Sequence, residues 1–215
     1  MKKINLIVGI ILFTIQTFSQ DFTGKITYEV DYDLPEAMEP QRSMLPTEMI
    51  TKIGKQHSKI IQNTMMGEQV TIFNVKTKMT TSLFNLMGQK IALEINTANE
   101  ENENKPEIEY LDETKTIAGY ECKKALFTIN TTSADGVDDK MTMEVFYSTE
   151  ISAKSNQQFS QLKGFPLQYS INTQGMVMNL IAKEIVKEKY GKNEFEIPSG
   201  YEKMTLEDFQ KMMGQ

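Results

Sequence analysis

Short runs in which apolar and polar residues alternate recur along this 215-residue chain, and they constrain its fold more than any other feature. In residues 22–32 (FTGKITYEVDY), every second residue from Ile26 to Tyr32 is apolar, and the residues between them are polar. Successive side chains of a strand point to opposite faces of a sheet. The pattern therefore predicts a strand that is buried on one face and solvated on the other.

Further runs predict that strands dominate the rest of the chain. Between residues 50 and 95 the runs ITKIG, HSKIIQ, QVTIFNV, MTTSLFNL and KIALEI are separated by glycine-containing turns, which is typical of an antiparallel meander. After residue 106, strands are expected in the run that ends at Asn130 and in MTMEVFY, PLQYSI and MVMNLIAKEIVKEKY. A helical pattern is present only at residues 156–162 (NQQFSQL) and in the C-terminal TLEDFQKMMG, where Thr205 is the predicted N-cap. The expected class is α+β and mainly β.

Two segments do not fit a strand pattern. Residues 34–49 (LPEAMEPQRSMLPTEM) contain three prolines, which forbid a long helix, and several apolar residues. We expect an irregular segment that lies across an apolar surface. Residues 96–106 (NTANEENENKP) are acidic, rich in amides and poor in apolar side chains, so we expect a solvated loop.

The first residues, MKKINLIVGIILFTIQTFSQ, have the basic start, short apolar centre and polar end of a secretory signal. The apolar centre is too short to span a bilayer, so cleavage after Ser19 is favoured over a retained anchor. We expect residues 1–19 to be a signal peptide and residues 20–215 to form one domain. No cysteine lies directly after the apolar centre, so lipid attachment is not expected. The chain should be periplasmic or secreted, with no stable membrane anchor.

Charge and cysteine usage restrict the partners and the source of stability. Loss of Lys2 and Lys3 leaves 21 basic and 29 acidic residues, a net charge of −8, which disfavours nucleic acid and anionic lipid headgroups as partners. Cys122 is the only cysteine, so no internal disulfide can form. The fold must be stabilised by its core, and a chain with 40% hydrophobic residues is long enough to bury one.

Residues suited to catalysis are sparse. His57 is the only histidine, and no carboxylate or cysteine lies at metal-ligand spacing around it. No nucleophile elbow or phosphate-binding loop is present. The pairs Glu100-Glu101 and Asp138-Asp139 lack the spacing of a calcium loop and are expected to be solvated. The chain is predicted not to be an enzyme, with no cofactor and no metal.

Methionine is abundant, with 15 residues in the chain. Met141 and Met143, like Met176 and Met178, are two residues apart, so each pair points to one face of its strand. Soft thioether ligands suit Cu(I). The competing interpretations, which we favour because no histidine or cysteine completes a copper site, are an ordinary core or a cavity that adapts to varied apolar ligands.

Three short motifs in order resemble a known family. They are IAGYECKKA (residues 117–125), LKGFPLQYSI (162–171) and FEIPSGYEKM (195–204), and together they resemble the exported domain of unknown function 4412. That family is similar to the lipoprotein carriers LolA and LolB. The resemblance implies a single curved antiparallel sheet, an open half-barrel, whose concave face is covered by a few short helices and a loop and accepts an acyl chain.

The resemblance implies a non-enzymatic periplasmic protein that accommodates a lipid or other apolar ligand on the concave face. The alternative is an envelope protein-interaction or structural module whose sheet is filled by its own side chains. Arg42, the only arginine, lies in the proline-rich segment and not in a strand, which argues against a lipoprotein-shuttle role. The residues predicted to contact the ligand come from the proline-rich segment, the meander and the later hairpin: Met44, Leu45, Met49, Phe84, Leu86, Met143 and Val145.

Cys122 has three possible roles: a reactive thiol, half of an intermolecular disulfide, or a buried strand residue. Lys123 and Lys124 are close in sequence and would lower a thiol pKa. No histidine, second cysteine or helix N-terminus accompanies them. We expect Cys122 to be a small apolar residue of a strand.

Overall fold

Twelve strands join into one sheet in the computed structural model, which describes residues 22–65, 67–86, 88–98, 105–132, 138–173, 175–212 and 214. The predicted signal peptide lies outside these residues, as does most of the predicted acidic loop. The strands are β1 (Gly24–Asp33), β2 (Glu48–Ile53), β3 (His57–Thr64), β4 (Gly67–Asn74), β5 (Met79–Leu86), β6 (Gln89–Asn96), β7 (Glu107–Ile117), β8 (Tyr120–Thr132), β9 (Asp138–Ser148), β10 (Phe165–Thr173), β11 (Met176–Lys187) and β12 (Glu202–Thr205).

Helices are few and short. Short 3-10 helices of three to nine residues cover Glu36–Met44, Ala153–Ser155 and Lys192–Phe195, and the α-helix α1 covers Leu206–Met212. Thr205 caps α1 as predicted, because its Oγ1 accepts a hydrogen bond of 3.1 Å from the Asp208 backbone N–H. No helix in the described part of the chain is long and apolar enough to cross a membrane.

The sheet consists of two antiparallel meanders joined by β1. Strands β2 to β6 follow one another on one side, and β7 to β11 follow one another on the other. β1 pairs with β2 and with β11, so the first strand lies in the middle of the sheet. β12 adds to β6 in parallel. Since the two edge strands, β7 and β12, do not pair with each other, the sheet is open. The predicted fold class, mainly β with one large open curved sheet, is confirmed.

Strand β1 is buried on one face, as its alternating pattern predicts. Ile26, Tyr28, Val30 and Tyr32 are at most 5% exposed, whereas the residues between them are partly or fully exposed. The Tyr28 hydroxyl donates a hydrogen bond of 2.7 Å to the Pro166 carbonyl, so the buried phenol is satisfied. Burial of this face fixes which side of the sheet carries the main core.

The main core and a smaller core lie on opposite faces. The main core involves side chains from β1, β2 and β7 to β11 and from the segment between β9 and β10, residues 149–164. The smaller core contains Val70, Ile72, Leu83 and Ala92. Along their strands these residues alternate with residues on the face that carries the main core. The stretch between β11 and β12, residues 188–201, is here called the C-terminal segment. Its residues Phe195, Ile197 and Tyr201 pack against the smaller core. The C-terminal segment therefore covers the back of the β2–β6 meander.

Two local predictions need correction. Leu34 and Leu45 of the proline-rich segment 34–49 pack against the main core, but residues Glu36–Met44 are not irregular and form a 3-10 helix with no buried residue. Its proline and charged residues leave the helix too polar to bury. Residues 156–162 form turns and not a helix, because the one 3-10 turn of that region ends at Ser155. Residues 149–164, here called the covering segment, also cover the sheet and contribute buried side chains to the main core.

Gly164 provides a test of how closely the covering segment approaches the sheet. A Cβ at this position would meet the backbone carbonyl of Ser148, which cannot move independently of β9. We expect Gly164→Ala to lower the free energy of unfolding in urea by about 1–3 kcal/mol, or more, through overpacking. Gly191→Ala is the matched control, because no atom lies within 4 Å of its added Cβ and its φ is −70°. Equal stability of the two variants would contradict the close approach.

Candidate functional site

A groove lies on the face of the sheet that carries the main core, and its volume is about 490 Å³. Its walls include Thr71 on β4 and Phe127 on β8. These strands are seven steps apart in the sheet, a distance of about 34 Å at ~4.8 Å per strand if the sheet were flat. Only a curved sheet brings both to one groove, so the groove lies on the concave face.

Apolar side chains from five strands form much of the lining. They come from β2, β3, β8, β10 and β11 and are Met49, Ile60, Phe127, Ile129, Tyr169, Ile171 and Met178. In register, Tyr169 is opposite Leu180, and Ile171 is opposite Met178. These residues alternate along their strands with residues of the solvated face. The strand period therefore places their side chains together on the face that carries the groove. The groove offers an apolar surface to a ligand.

Phe159 of the segment 149–164 fills the part of the concave face next to the groove. Its ring lies 4.9 Å from that of Phe127 and 5.0 Å from that of Tyr169, both in edge-to-face geometry. Phe159 is fully buried, and so is Ile151 of the same segment. This part of the concave face is therefore filled by the protein itself.

Hydrogen bonds hold the covering segment in place. The Asn156 side-chain Oδ1 accepts a bond of 3.0 Å from the Phe159 backbone N–H, which fixes the turn that presents the ring. Across the groove, the Thr80 hydroxyl of β5 donates a bond of 2.8 Å to Gln157 Oε1. The segment thus bridges the two meanders over the concave face.

The rim of the groove, as far as the structure describes it, is polar and neutral. Its side chains are amides and hydroxyls from β3, β4, the end of β6 and the covering segment: Gln62, Thr71, Thr97, Asn156, Gln157, Gln158, Ser160 and Gln161. An apolar lining with a few polar groups is the usual composition of a small-molecule site, and the volume lies within the usual range of about 300–1,000 Å³.

The seven predicted contact residues are distributed unevenly around the groove. Met49 lines it, and Met143 and Val145 are buried in the main core. Leu45 is partly buried against that core, whereas Met44 is 49% exposed. Whether these five residues contact a ligand stays a prediction.

The remaining two predicted residues, Phe84 and Leu86, are on β5 and do not line the groove. The Phe84 ring packs edge to face against Phe209 of α1 at a centroid distance of 5.8 Å. A contact with ligand at this part of the sheet also stays a prediction.

Sequence reasoning missed the contribution of the covering segment and of β10. The run NQQFSQL carries two apolar residues, Phe159 and Leu162, among amides and hydroxyls, and both are buried. The run therefore contained a signal for a buried anchor, but not for the surface against which the anchor packs.

The methionine pairs lie on the concave face. Met143 is buried in the main core, and Met141, Met176 and Met178 are packed against it. This placement fits the interpretation as core and adaptable lining. In the described part of the chain, no group of three or more His, Cys, Asp or Glu residues is placed to hold a metal ion.

His57 lies in a second cavity, of about 390 Å³, at the C-terminal segment. Its ring stacks on Phe195 at 5.7 Å, and its Nε2 lies 3.0 Å from Asn74 Nδ2. Burial lowers the pKa of the imidazole. The surroundings are those of a strand residue that packs against the C-terminal segment.

Cys122 is a buried strand residue. It is fully inaccessible within the main core, and burial raises the pKa of its thiol to about 11. Lys115 opposes this effect but does not reverse it. A protonated, inaccessible thiol is neither a nucleophile nor available for an intermolecular disulfide.

Comparisons with known proteins identify a family model and distant structures. The model of the family described as Domain of unknown function (DUF4412) matches residues 12–201. An uncharacterized conserved protein from Thermus thermophilus is similar in structure, with 6% identity, a TM-score of 0.48 and coverage of 87% of this chain and 92% of that one.

LprF from Mycobacterium bovis is also similar in structure, with 10% identity, a TM-score of 0.33 and coverage of 86% of this chain and 91% of the other. No curated protein sequence matches the chain.

Removal of the Phe159 ring tests whether it anchors the covering segment. We expect Phe159→Ala to lower the free energy of unfolding by about 3–5 kcal/mol, because it leaves a cavity between Phe127 and Tyr169. Urea denaturation measures the change. Gln158→Ala, next to it on the exposed rim, is the control and should change stability by no more than about 0.5 kcal/mol. A loss under about 1 kcal/mol for Phe159→Ala would contradict the anchoring role.

The thiol of Cys122 should resist modification in the folded protein. Because burial raises its pKa to about 11, the thiol is protonated at about pH 8 and reaches the reactive thiolate only as the pH rises towards that value. We expect no reaction with Ellman's reagent on the time scale on which urea-unfolded protein reacts completely. Rapid reaction of the folded chain would show that Cys122 is accessible.

Proposed function

The chain belongs to the family described as Domain of unknown function (DUF4412), and from that premise we propose that it is an exported, non-enzymatic binding protein that holds an apolar chain in the concave groove. The single observation that carries the proposal is the apolar groove between the curved sheet and the covering segment. The ligand class is that of a lipid acyl chain or a comparable apolar molecule.

Burial of apolar surface would drive the binding. Each methylene removed from water contributes about 0.8 kcal/mol, so a chain of eight methylenes would contribute about 6 kcal/mol before the costs of association. The flexible side chains of Met49 and Met178 can adapt to chains of different shape. An open groove also permits a long chain to extend beyond its ends.

The composition of the lining supports a binding protein over an enzyme. Every residue that lines the groove in the described structure is apolar, an amide, a hydroxyl or Tyr169. Burial raises the pKa of Tyr169 well above its usual value, so its phenol stays neutral. General acid–base or nucleophilic catalysis requires groups that titrate or are activated near the operating pH.

Export is part of the proposal and rests on the sequence of the first twenty residues. The proposed location is the periplasm or the outside of the cell, where a cleaved chain would meet lipids of the envelope.

A second candidate function is an envelope interaction or structural module. The observation that favours it is the self-filling of the concave face by Phe159 and Ile151. In this case the groove would be a by-product of packing, and a partner protein would bind elsewhere. Native mass spectrometry of protein purified from its own envelope would weigh a co-purified lipid or partner.

A tryptophan in the groove should block the ligand. Ile171 lines the groove, and its replacement by tryptophan adds volume where the apolar chain would lie. We expect Ile171→Trp to weaken binding of the uncharged fluorescent probe N-phenyl-1-naphthylamine by at least about tenfold, a loss of about 1.4 kcal/mol. Fluorescence titration of the purified chain measures the dissociation constant.

Ile181→Trp is the matched control, because Ile181 is on the neighbouring strand, faces the other side of the sheet and is 39% exposed. This variant should bind the probe like the parent chain. Absence of probe binding to the parent, or an equal loss in both variants, would overturn the proposal.

A further inference from the structure

The described residues that line the groove carry no charge. Of the residues that line it, all within the described part of the chain, none is Lys, Arg, Asp, Glu or His. This is notable in a chain in which 24% of the residues are charged. A fatty acid or phospholipid whose head enters the groove needs a cation beside that head, since an ionised carboxylate or phosphate loses hydration on burial.

Neutral carboxamides lie at the rim of the groove. Gln62 extends from β3, and Gln157, Gln158 and Gln161 belong to the covering segment. A carboxamide presents one acceptor and two donor hydrogens, so it pairs equally well with hydroxyl and amide groups. It cannot compensate a full charge.

Several of these amides are available to a ligand. Gln157 Oε1 already accepts a hydrogen bond from Thr80, which holds the covering segment. Within the described residues, the side chains of Gln62, Gln158 and Gln161 form no hydrogen bond to another protein group. Gln62 is half-buried and lines the same groove as the apolar Ile60 two residues earlier on β3, so polar and apolar contacts would be made by one ligand.

We infer that the groove selects a neutral amphiphile: one apolar chain attached to an uncharged head that carries hydroxyl or amide groups. This inference rests on the proposed function and names the ligand class of that site. The net charge of −6 also favours a neutral amphiphile, because it disfavours the approach of an anionic one.

Two amphiphiles with the same acyl chain and different heads test the inference. We expect the dissociation constant of monododecanoylglycerol to be at least about tenfold lower than that of dodecanoate. Both constants are obtained from displacement of N-phenyl-1-naphthylamine, below the critical micelle concentrations and at a pH where dodecanoate is ionised. The acyl chains are identical, so the difference reports the head.

A charge introduced at the rim should reverse the preference. Gln62→Lys places an ammonium group beside the groove, and we expect it to tighten dodecanoate binding by about tenfold without tightening that of monododecanoylglycerol. Asn63→Lys is the matched control, because Asn63 is the next residue of β3, is exposed, and points to the opposite face. It changes the net charge equally and should leave both dissociation constants unchanged.

The outcomes separate the two proposals. If dodecanoate binds as tightly as the glycerol ester, or if only dodecanoate binds, the head preference is wrong while the binding function stands. If the probe binds and neither amphiphile displaces it, the head preference is also wrong. If neither the probe nor either amphiphile binds, the binding function itself is wrong.

Discussion

The pairing of β1 with two neighbours that are distant in sequence is the constraint on which the rest of the structure depends. β1 joins the β2–β6 meander to the β7–β11 meander, and its buried face supplies the centre of the main core. The hydrogen bond from Tyr28 to Pro166 then ties this centre to the start of β10. Without β1 the two meanders would not be joined by hydrogen bonds between strands, and the curved surface that forms the groove would not exist.

An open sheet of this size exposes two apolar faces, and the chain covers them with different segments. The covering segment 149–164 inserts Phe159 into the concave face, whereas the C-terminal segment places Phe195 on the back of β2–β6. Phe195 approaches so closely that a Cβ on Gly54 would lie 2.7 Å from its ring. The C-terminal segment leaves the smaller cavity at His57 on the back, and the covering segment leaves the groove on the concave face, so a ligand would have access from the concave side.

The division of the concave face relates the two candidate functions. The region around Phe159 is a packed interior, and the adjoining region lined by Ile171 and Met178 is an open groove. A binding protein needs both, because the packed region holds the curvature and the open region accepts the ligand. If the groove binds a ligand as proposed, the neutral rim would favour an uncharged head, since the cost of burying an uncompensated charge exceeds the gain from a few methylenes.

The sequence by itself determined the strands β1 to β11, though not β12, and it also determined the buried face of β1, the cap of α1 at Thr205 and the burial of Cys122. These features follow from local periods and capping chemistry that act within a few residues. Only the tertiary structure decided that residues 149–164 cover the concave face with a fully buried ring, Phe159. It alone brought Thr71 and Phe127 to one groove, because strand order and curvature are set by pairing between distant residues, and alternation does not record which strands become neighbours.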